Sequence, residues 1–355
     1  MIPENAEEDL VAVSDLADVR AVSTTEVDAT TAARESLVAF KFGGSSLLGA
    51  ELMLHAAGLV GPVAQRMQVV VVVSAMKGVT DRLLGIAQAL GERQSQRALS
   101  EAEAVLRTHL DVLHDLSLDS DEQDRVARDL NSLGRDLLHE VSVRRHNAAA
   151  AAAAELFDRL ASFGERFSAR LFAAALEHSG VAAVPVSSSE FVLTCDTFRD
   201  AKPHLEQTRQ RGREVLLPLL ADAIVPVVTG FIGATPDGRI TTLGRNSSDF
   251  SAAIIGHVVD ADELVIWTDV DGIYTANPNE SAQAQLLHDL SYEDAHALAL
   301  SGAKVLHPHV LPLAEETDMT VWVRNTFRPH ARGTRIGPVP VGAQHCCVPV
   351  SKEPA

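Results

Sequence analysis

Apolar residues are gathered into short runs at residues 37–42, 69–73, 181–186, 224–229 and 263–267, the first interrupted by Lys41 and the last opening on Glu263. The second run is valine throughout. A strand with no polar face is one that is buried on both sides, as in a parallel sheet covered by helices. Between the runs lie helical patterns at 51–64, 81–89 and 248–258, and a long polar stretch from about 100 to 174. Strands alternating with helices predict an α/β protein with a mostly parallel sheet. Residues 100–150 carry charge, leucine and alanine but no strand signal. They are expected to form a helical subdomain inserted between strands, the insert spanning 100–175. The alanine run at 148–154 is helix by propensity, and Gly180 suits the position just past the end of the following helix.

The two ends read differently. Residues 1–35 are acidic, lack glycine and have little periodicity, which predicts a flexible acidic extension. Residues 337–355 hold four prolines and two cysteines and are expected to be a tail. The chain has 355 residues and a formal net charge of −18, a balance that argues against binding nucleic acid or an anionic membrane. No apolar run approaches the roughly 20 residues of a spanning helix, and no secretory leader is visible. Cys195, Cys346 and Cys347 give neither a disulfide framework nor a zinc spacing. A reduced, cytoplasmic protein is the expectation.

Five segments carry candidate chemistry. Lys41-Phe42-Gly43-Gly44-Ser45-Ser46 follows the first strand, and glycines there let backbone N–H groups approach a phosphate. It is not a GxxxxGK loop, because the lysine comes first. Thr241-Thr242-Leu243-Gly244-Arg245-Asn246-Ser247-Ser248-Asp249 follows a hairpin tipped by Pro236-Asp237-Gly238 and opens a helix. An arginine there can take a carboxylate and an aspartate an ammonium, so the two ends of a zwitterion could be held. Trp267-Thr268-Asp269-Val270-Asp271-Gly272-Ile273-Tyr274 ends a strand, where open α/β sheets bind ligands. Its two aspartates suit a metal or an Asx turn equally. Gly164-Glu165-Arg166-Phe167-Ser168 lies within a helix, where an acid is ordinarily a solvated face. In Gly302-Ala303-Lys304-Val305-Leu306-His307-Pro308, Lys304 could reach a phosphate or cap a helix, and His307 reads as a turn histidine.

Taken in order, with Ser74-Ala75-Met76 and Gly78-Val79-Thr80-Asp81 added, these segments resemble the aspartate kinase family of the amino acid kinase fold, from about residue 37 to 336. The Gly244-Arg245-Asn246 and Ser45-Ser46 variants are most similar to the kinase half of bifunctional aspartate kinase–homoserine dehydrogenases. The resemblance implies a three-layer αβα sandwich over 36–336, with an amino-acid-binding half at about 36–220 and a nucleotide-binding half at about 221–336. It implies ATP-dependent phosphorylation of the β-carboxylate of L-aspartate, with Mg²⁺ held largely by ATP oxygens, in a homo-oligomer. On this resemblance Lys41 stabilises the transferring phosphoryl, and Gly43, Gly44 and Ser45 line the phosphates. Arg245 grips the α-carboxylate; Glu165 and Asp249 hold the ammonium, with Ser74, Thr80 and Ser248 nearby. Thr268, Asp269, Tyr274 and Lys304 contact the nucleotide.

Three departures from the family pattern stand out. Asn277-Pro278-Asn279 replaces Asp-Pro-Arg, and a lost phosphate contact costs on the order of 1–3 kcal/mol. Ser247 stands where glycine is common; were a positive φ required, serine would cost about 1–2 kcal/mol. The chain ends some 19 residues after Ile336, where family members continue into regulatory domains, so no feedback site of that type is expected in it. The alternatives are a kinase for another carboxylate and a non-catalytic paralogue serving as a partner subunit.

Overall fold

The structure is a computed structural model that describes residues 36–144, 154–276, 281, 283–300 and 306–338. Its first strand, β1 (Leu37–Phe42), splits its side chains by parity. Val38, Phe40 and Phe42 enter one apolar core; Leu37 and Ala39 enter another on the opposite face. β2 (Gln68–Val73) divides its valines the same way, and so does β7 (Glu263–Thr268), with Val265 and Trp267 on one side and Leu264 and Ile266 on the other. An all-apolar strand is therefore two half-strands, each facing its own layer of helices. The structure is the three-layer α/β sandwich expected.

The first helical layer comprises α1 (Ala50–Ala64), α2 (Val79–Gly91), α3 (Ser95–Asp115), α4 (Ser120–Arg144) and α5 (Ala154–His178). The second is built on α6 (Leu205–Ala221) and α7 (Ser248–Val259). The sheet adds β3 (Ala183–Val186) and β4 (Val225–Thr229). β5 (Ile232–Ala234) and β6 (Ile240–Thr242) form the separate hairpin expected around Asp237-Gly238. β8 (Ile273–Tyr274) pairs with β9 (Leu286–Leu287). β10 (Asp289–Leu290), α8 (Tyr292–Leu300), α9 (Val310–Glu316), β11 (Thr320–Asn325) and β12 (Thr334–Ile336) complete the described chain.

The large sheet has eight strands in the order β10-β12-β11-β7-β1-β2-β4-β3, parallel except where β11 meets β12. β1 sits inside it, paired with β2 on one edge and β7 on the other. The Leu37 N–H also donates to the Asp262 carboxylate at 2.9 Å, across 225 residues.

The structure differs from the pattern in three places. The polar stretch is three helices, and α5 packs on the sheet through Phe172, Leu176 and their neighbours in the same core as β1 and β2. β11 carries no unbroken apolar run; it alternates, burying Val321 and Val323 between half-exposed residues. Neither α6 nor α9 is foreseen. Part of the alanine run lies outside the described residues, and Ala154 begins α5. No described helix is long and apolar enough to cross a membrane.

Gly44 is required for close packing. A Cβ there would lie 2.5 Å from the Ala75 carbonyl oxygen and 3.0 Å from the Lys77 nitrogen, both backbone. Gly58, exposed in α1, has nothing within 4 Å. Thermal unfolding should separate them. Gly44→Ala is expected to cost about 1–3 kcal/mol by forcing the backbone apart. Gly58→Ala should gain about 0.5–1 kcal/mol from helix propensity. Equal melting shifts would contradict the packing argument.

Candidate active site

The chain runs from β1 to β2 on one side of the sheet's midline, while β7 returns to the other side of β1. Such a reversal opens a crevice beyond the carboxyl ends of the strands. A cleft of about 860 Å³ lies there, lined from the ends of β1, β2 and β7, from α5, and from the loop before α7.

Lys41 shares the parity of Leu37 and Ala39, but stands where the helical layer gives way to the cleft. Its ammonium lies 2.8 Å from Oδ1 of Asp249, with the two side chains 11% and 15% exposed. Asp249 lies in the first turn of α7, where the helix dipole favours a carboxylate. Gly43 follows, its N–H donating to the Trp267 carbonyl at 3.3 Å. A Cβ on Gly43 would sit 3.4 Å from Lys41 Nζ, so glycine leaves the ammonium uncovered.

Glu165 reaches the cleft because Gly164 lets α5 approach; a Cβ on Gly164 would stand 2.7 Å from that of Ala75. The Ala75 N–H donates to Glu165 Oε1 at 3.1 Å, while Oε2 is buried with no partner. Burial raises this carboxyl from its ordinary 4.5 to about 8, against the smaller opposing pull of the Ala75 N–H. At neutral pH it is a neutral acid, ready to ionise when a cation arrives.

Arg245 projects from a loop whose turns are made by Gly244 at φ +95° and Asn246 at φ 60°. Its guanidinium is 85% exposed, and the Asp81 carboxylate is 3.5 Å away. Ser247 has φ −82°, so it carries none of the penalty a positive φ would impose. The left-handed position falls on Asn246, a residue type that tolerates it.

Ten of the candidate residues line this one cleft: Lys41, Gly43, Gly44, Ser74, Thr80, Glu165, Arg245, Ser248, Asp249 and Thr268. Ser45, Asp269 and Tyr274 stand outside its lining. The Tyr274 hydroxyl turns to Asp271 at 3.5 Å, and Asp271 is also engaged by Asn325 Nδ2 at 2.7 Å and by Arg328. Asp271 thus ties the β7 loop to β11. Lys304, Asn277 and Asn279 lie outside the described residues.

The cleft also contains Lys77, Phe231, Asn246 and His307; Asn246 and His307 belong to the candidate segments, but none of the four was given a binding role from the sequence. Phe231 has φ 68°, held by its N–H donating to Ser251 Oγ at 2.7 Å. His307 stacks on Phe250 with ring centroids 5.4 Å apart, and burial lowers its pKa. Lys77 lies in the short loop between the valine strand and α2, a position that could have flagged it.

The model of the amino acid kinase family matches residues 36–325. Lysine-sensitive aspartokinase 3 of Escherichia coli (strain K12) is 32% identical over 302 residues, covering 84% of this chain and 64% of its own length. The chloroplastic bifunctional aspartokinase/homoserine dehydrogenase 2 of Zea mays is 33% identical over 299 residues, covering 83% and 32%. The crystal structure of E. coli aspartokinase III in complex with aspartate and ADP (R-state) superposes with a TM-score of 0.77 at 30% identity, over 85% of this chain and 64% of that one. The chain therefore spans less than two thirds of these relatives.

Glu165 makes stability depend on pH. Its folded-state value lies above the unfolded one, so the fold holds a proton that the unfolded chain releases. Stability from this group is full below about 4.5 and falls as pH rises toward about 8. Glu165→Gln keeps the Ala75 hydrogen bond and removes the titration. The variant should gain melting temperature relative to the parent between pH 5 and pH 8; a difference constant with pH would refute the assignment.

Proposed function

The chain belongs to the amino acid kinase family, and from that premise we propose that it transfers the γ-phosphoryl group of ATP to the β-carboxylate of L-aspartate, forming 4-phospho-L-aspartate. The observation that carries the reading is the Lys41 ammonium, 2.8 Å from Asp249 at the end of β1, in one cleft with Glu165 and Arg245. Relatives named aspartokinases, one of them in a complex with aspartate and ADP, support it.

A carboxylate with an ordinary pKa of about 3.9 is already ionised at neutral pH, so the acceptor needs no general base. The barrier is the approach of an anion to a polyanionic phosphate. Positioning and charge neutralisation then supply the catalysis. Lys41 is the cation nearest the transfer path, and Asp249 fixes its direction. Gly43 and Gly44 bring backbone against the phosphates. The exposed Arg245 takes the α-carboxylate as a two-toothed partner. The unpartnered Oε2 of Glu165 takes the ammonium, ionising as it does so, with Asp249 beside it and Ser74, Thr80 and Ser248 around them. Thr268 lies on the nucleotide side. Contacts from Ser45, Asp269 and Tyr274 have no support in the cleft's lining and are not part of the reading.

Mg²⁺ would neutralise phosphate charge when bound. Of the three cleft carboxylates, Asp249 is engaged by Lys41, Glu165 is neutral and Asp81 lies beside the Arg245 guanidinium, a poor donor set for that ion. Magnesium carried by the nucleotide's own oxygens fits better, and no step here runs through a protein-bound metal. The same proposal includes a cytoplasmic setting, assembly into a homo-oligomer and a place in the biosynthesis of aspartate-derived amino acids.

Hydroxylamine trapping tests the reading. Purified protein with Mg-ATP should form hydroxamate from L-aspartate and not from L-glutamate or D-aspartate. Lys41→Ala should lower that rate by about 100-fold or more, with circular dichroism unchanged, because water can resolvate Asp249 in the open cleft. Near-normal turnover in the variant would remove Lys41 from the mechanism. Hydroxamate with L-glutamate alone would reassign the acceptor.

A further inference from the structure

Asp158 is an acid the phosphoryl-transfer account leaves unused, yet it is only 1% exposed. A carboxylate so deep is costly unless its oxygens are occupied. Oδ2 accepts the backbone N–H of Arg199 at 2.8 Å and that of Thr242 at 2.9 Å. Oδ1 accepts the Thr242 hydroxyl at 2.8 Å. All these donors lie far along the chain. One carboxylate thus joins α5 to β6 and to the loop at Arg199.

The placement of those bonds matters. Asp158 and Glu165 are two helical turns apart and share a face of α5. Thr242 is the last residue of β6, and Arg245 follows shortly in the loop. Thr242 pairs across the hairpin with Ile232, and the next N–H, of Leu243, donates to the Phe231 carbonyl at 2.9 Å. Ala201 donates to the Thr242 carbonyl at 2.9 Å. Gly244 packs on Asp200, where a Cβ would meet the carboxylate at 3.0 Å. The loop carrying Arg245 is therefore anchored upstream by Asp158 and its neighbours, and downstream by α7. Arg245 is itself mostly exposed, so few side-chain contacts hold it and its backbone sets the region its guanidinium can reach.

We propose that Asp158 is a positioning residue for the amino-acid substrate, holding the Gly244–Asn246 loop at a fixed distance from Glu165 so that guanidinium and carboxyl grip opposite ends of one molecule. This rests on the phosphoryl-transfer reading. The nucleotide side, built on β7, is not attached to Asp158 and should be indifferent to it.

Asp158→Ala tests the proposal. It removes the acceptor for the Arg199 and Thr242 N–H groups and for the Thr242 hydroxyl together. Thr242→Val removes only the hydroxyl bond at nearly constant shape. KM for L-aspartate and for ATP would be measured separately, with kcat, and amide hydrogen exchange followed at 242–247 and at 41–46. For Asp158→Ala, KM for L-aspartate should rise about 10- to 100-fold, as expected for a misplacement near 1 Å. KM for ATP should stay within about twofold, and exchange should quicken at 242–247 but not at 41–46. Thr242→Val should move the same quantities less, and decides the matter if Asp158→Ala does not fold. The two KM values rising together, or unchanged exchange at 242–247, would overturn the proposal. A parent protein that phosphorylates no amino acid would sink the phosphoryl-transfer reading alone, and the exchange comparison would still decide whether Asp158 holds the loop.

Discussion

A lysine ammonium and an aspartate carboxylate held 2.8 Å apart at the open end of a buried sheet set the terms for this molecule. Such a pair does not chiefly stabilise the fold, since drawing two charges out of water offsets most of their attraction. It keeps a positive charge aimed at one spot without letting it fold back. Strand parity sends Lys41 to the same face as α7, the first turn of α7 presents Asp249, and Gly43 leaves the ammonium bare. Move any of these by one residue and the charge enters an apolar core or is lost to solvent.

Local fields here work against the global one. The whole chain carries −18, and both proposed reactants are anions. Lys41, Lys77 and Arg245 gather at the cleft, while burial silences Glu165 and Lys41 occupies Asp249. With Glu165 neutral, the three cations face only Asp81 and Asp249, so the cleft is more positive than its residue list suggests. A neutral glutamic acid costs an incoming anion nothing, and becomes a counter-charge only when an ammonium reaches it.

β1, β2, β4 and β7 were legible because burial on both faces leaves a largely apolar run, which little else imitates, and the edge strand β3 was legible from its apolar run although it is only partly buried. β11 was not, because it meets the sheet's antiparallel margin and fully buries one face only, the other carrying the half-exposed Thr320, Trp322 and Arg324. The cleft residues were legible as glycine–charge segments following strands, each weak alone and informative in order. The roles expected for Ser45, Asp269 and Tyr274 rest on the resemblance: Ser45 and Asp269 adjoin lining residues and Tyr274 turns to Asp271, and a residue's type does not report which side chain of a loop reaches a cleft. Ser247 gave a false alarm because a sequence does not state which residue of a tight loop goes left-handed, and Asn246 does. Asp158 carried no signal at all. An acid within a helix is ordinarily solvated, and only the tertiary arrangement reveals the N–H groups around it.

The pairing of the first strand with β7 has a consequence for biosynthesis. Leu37 waits for Asp262, 225 residues downstream, and one edge of β1 stays unpaired until that strand arrives. At about 5–20 residues per second the ribosome needs roughly 10–45 s to deliver it. For that interval an apolar strand has an open edge in the middle of what will be the sheet, a template for any other extended chain. The geometry that makes the site also makes the nascent chain a natural client for chaperones, with no half-made form able to hold the lysine in place.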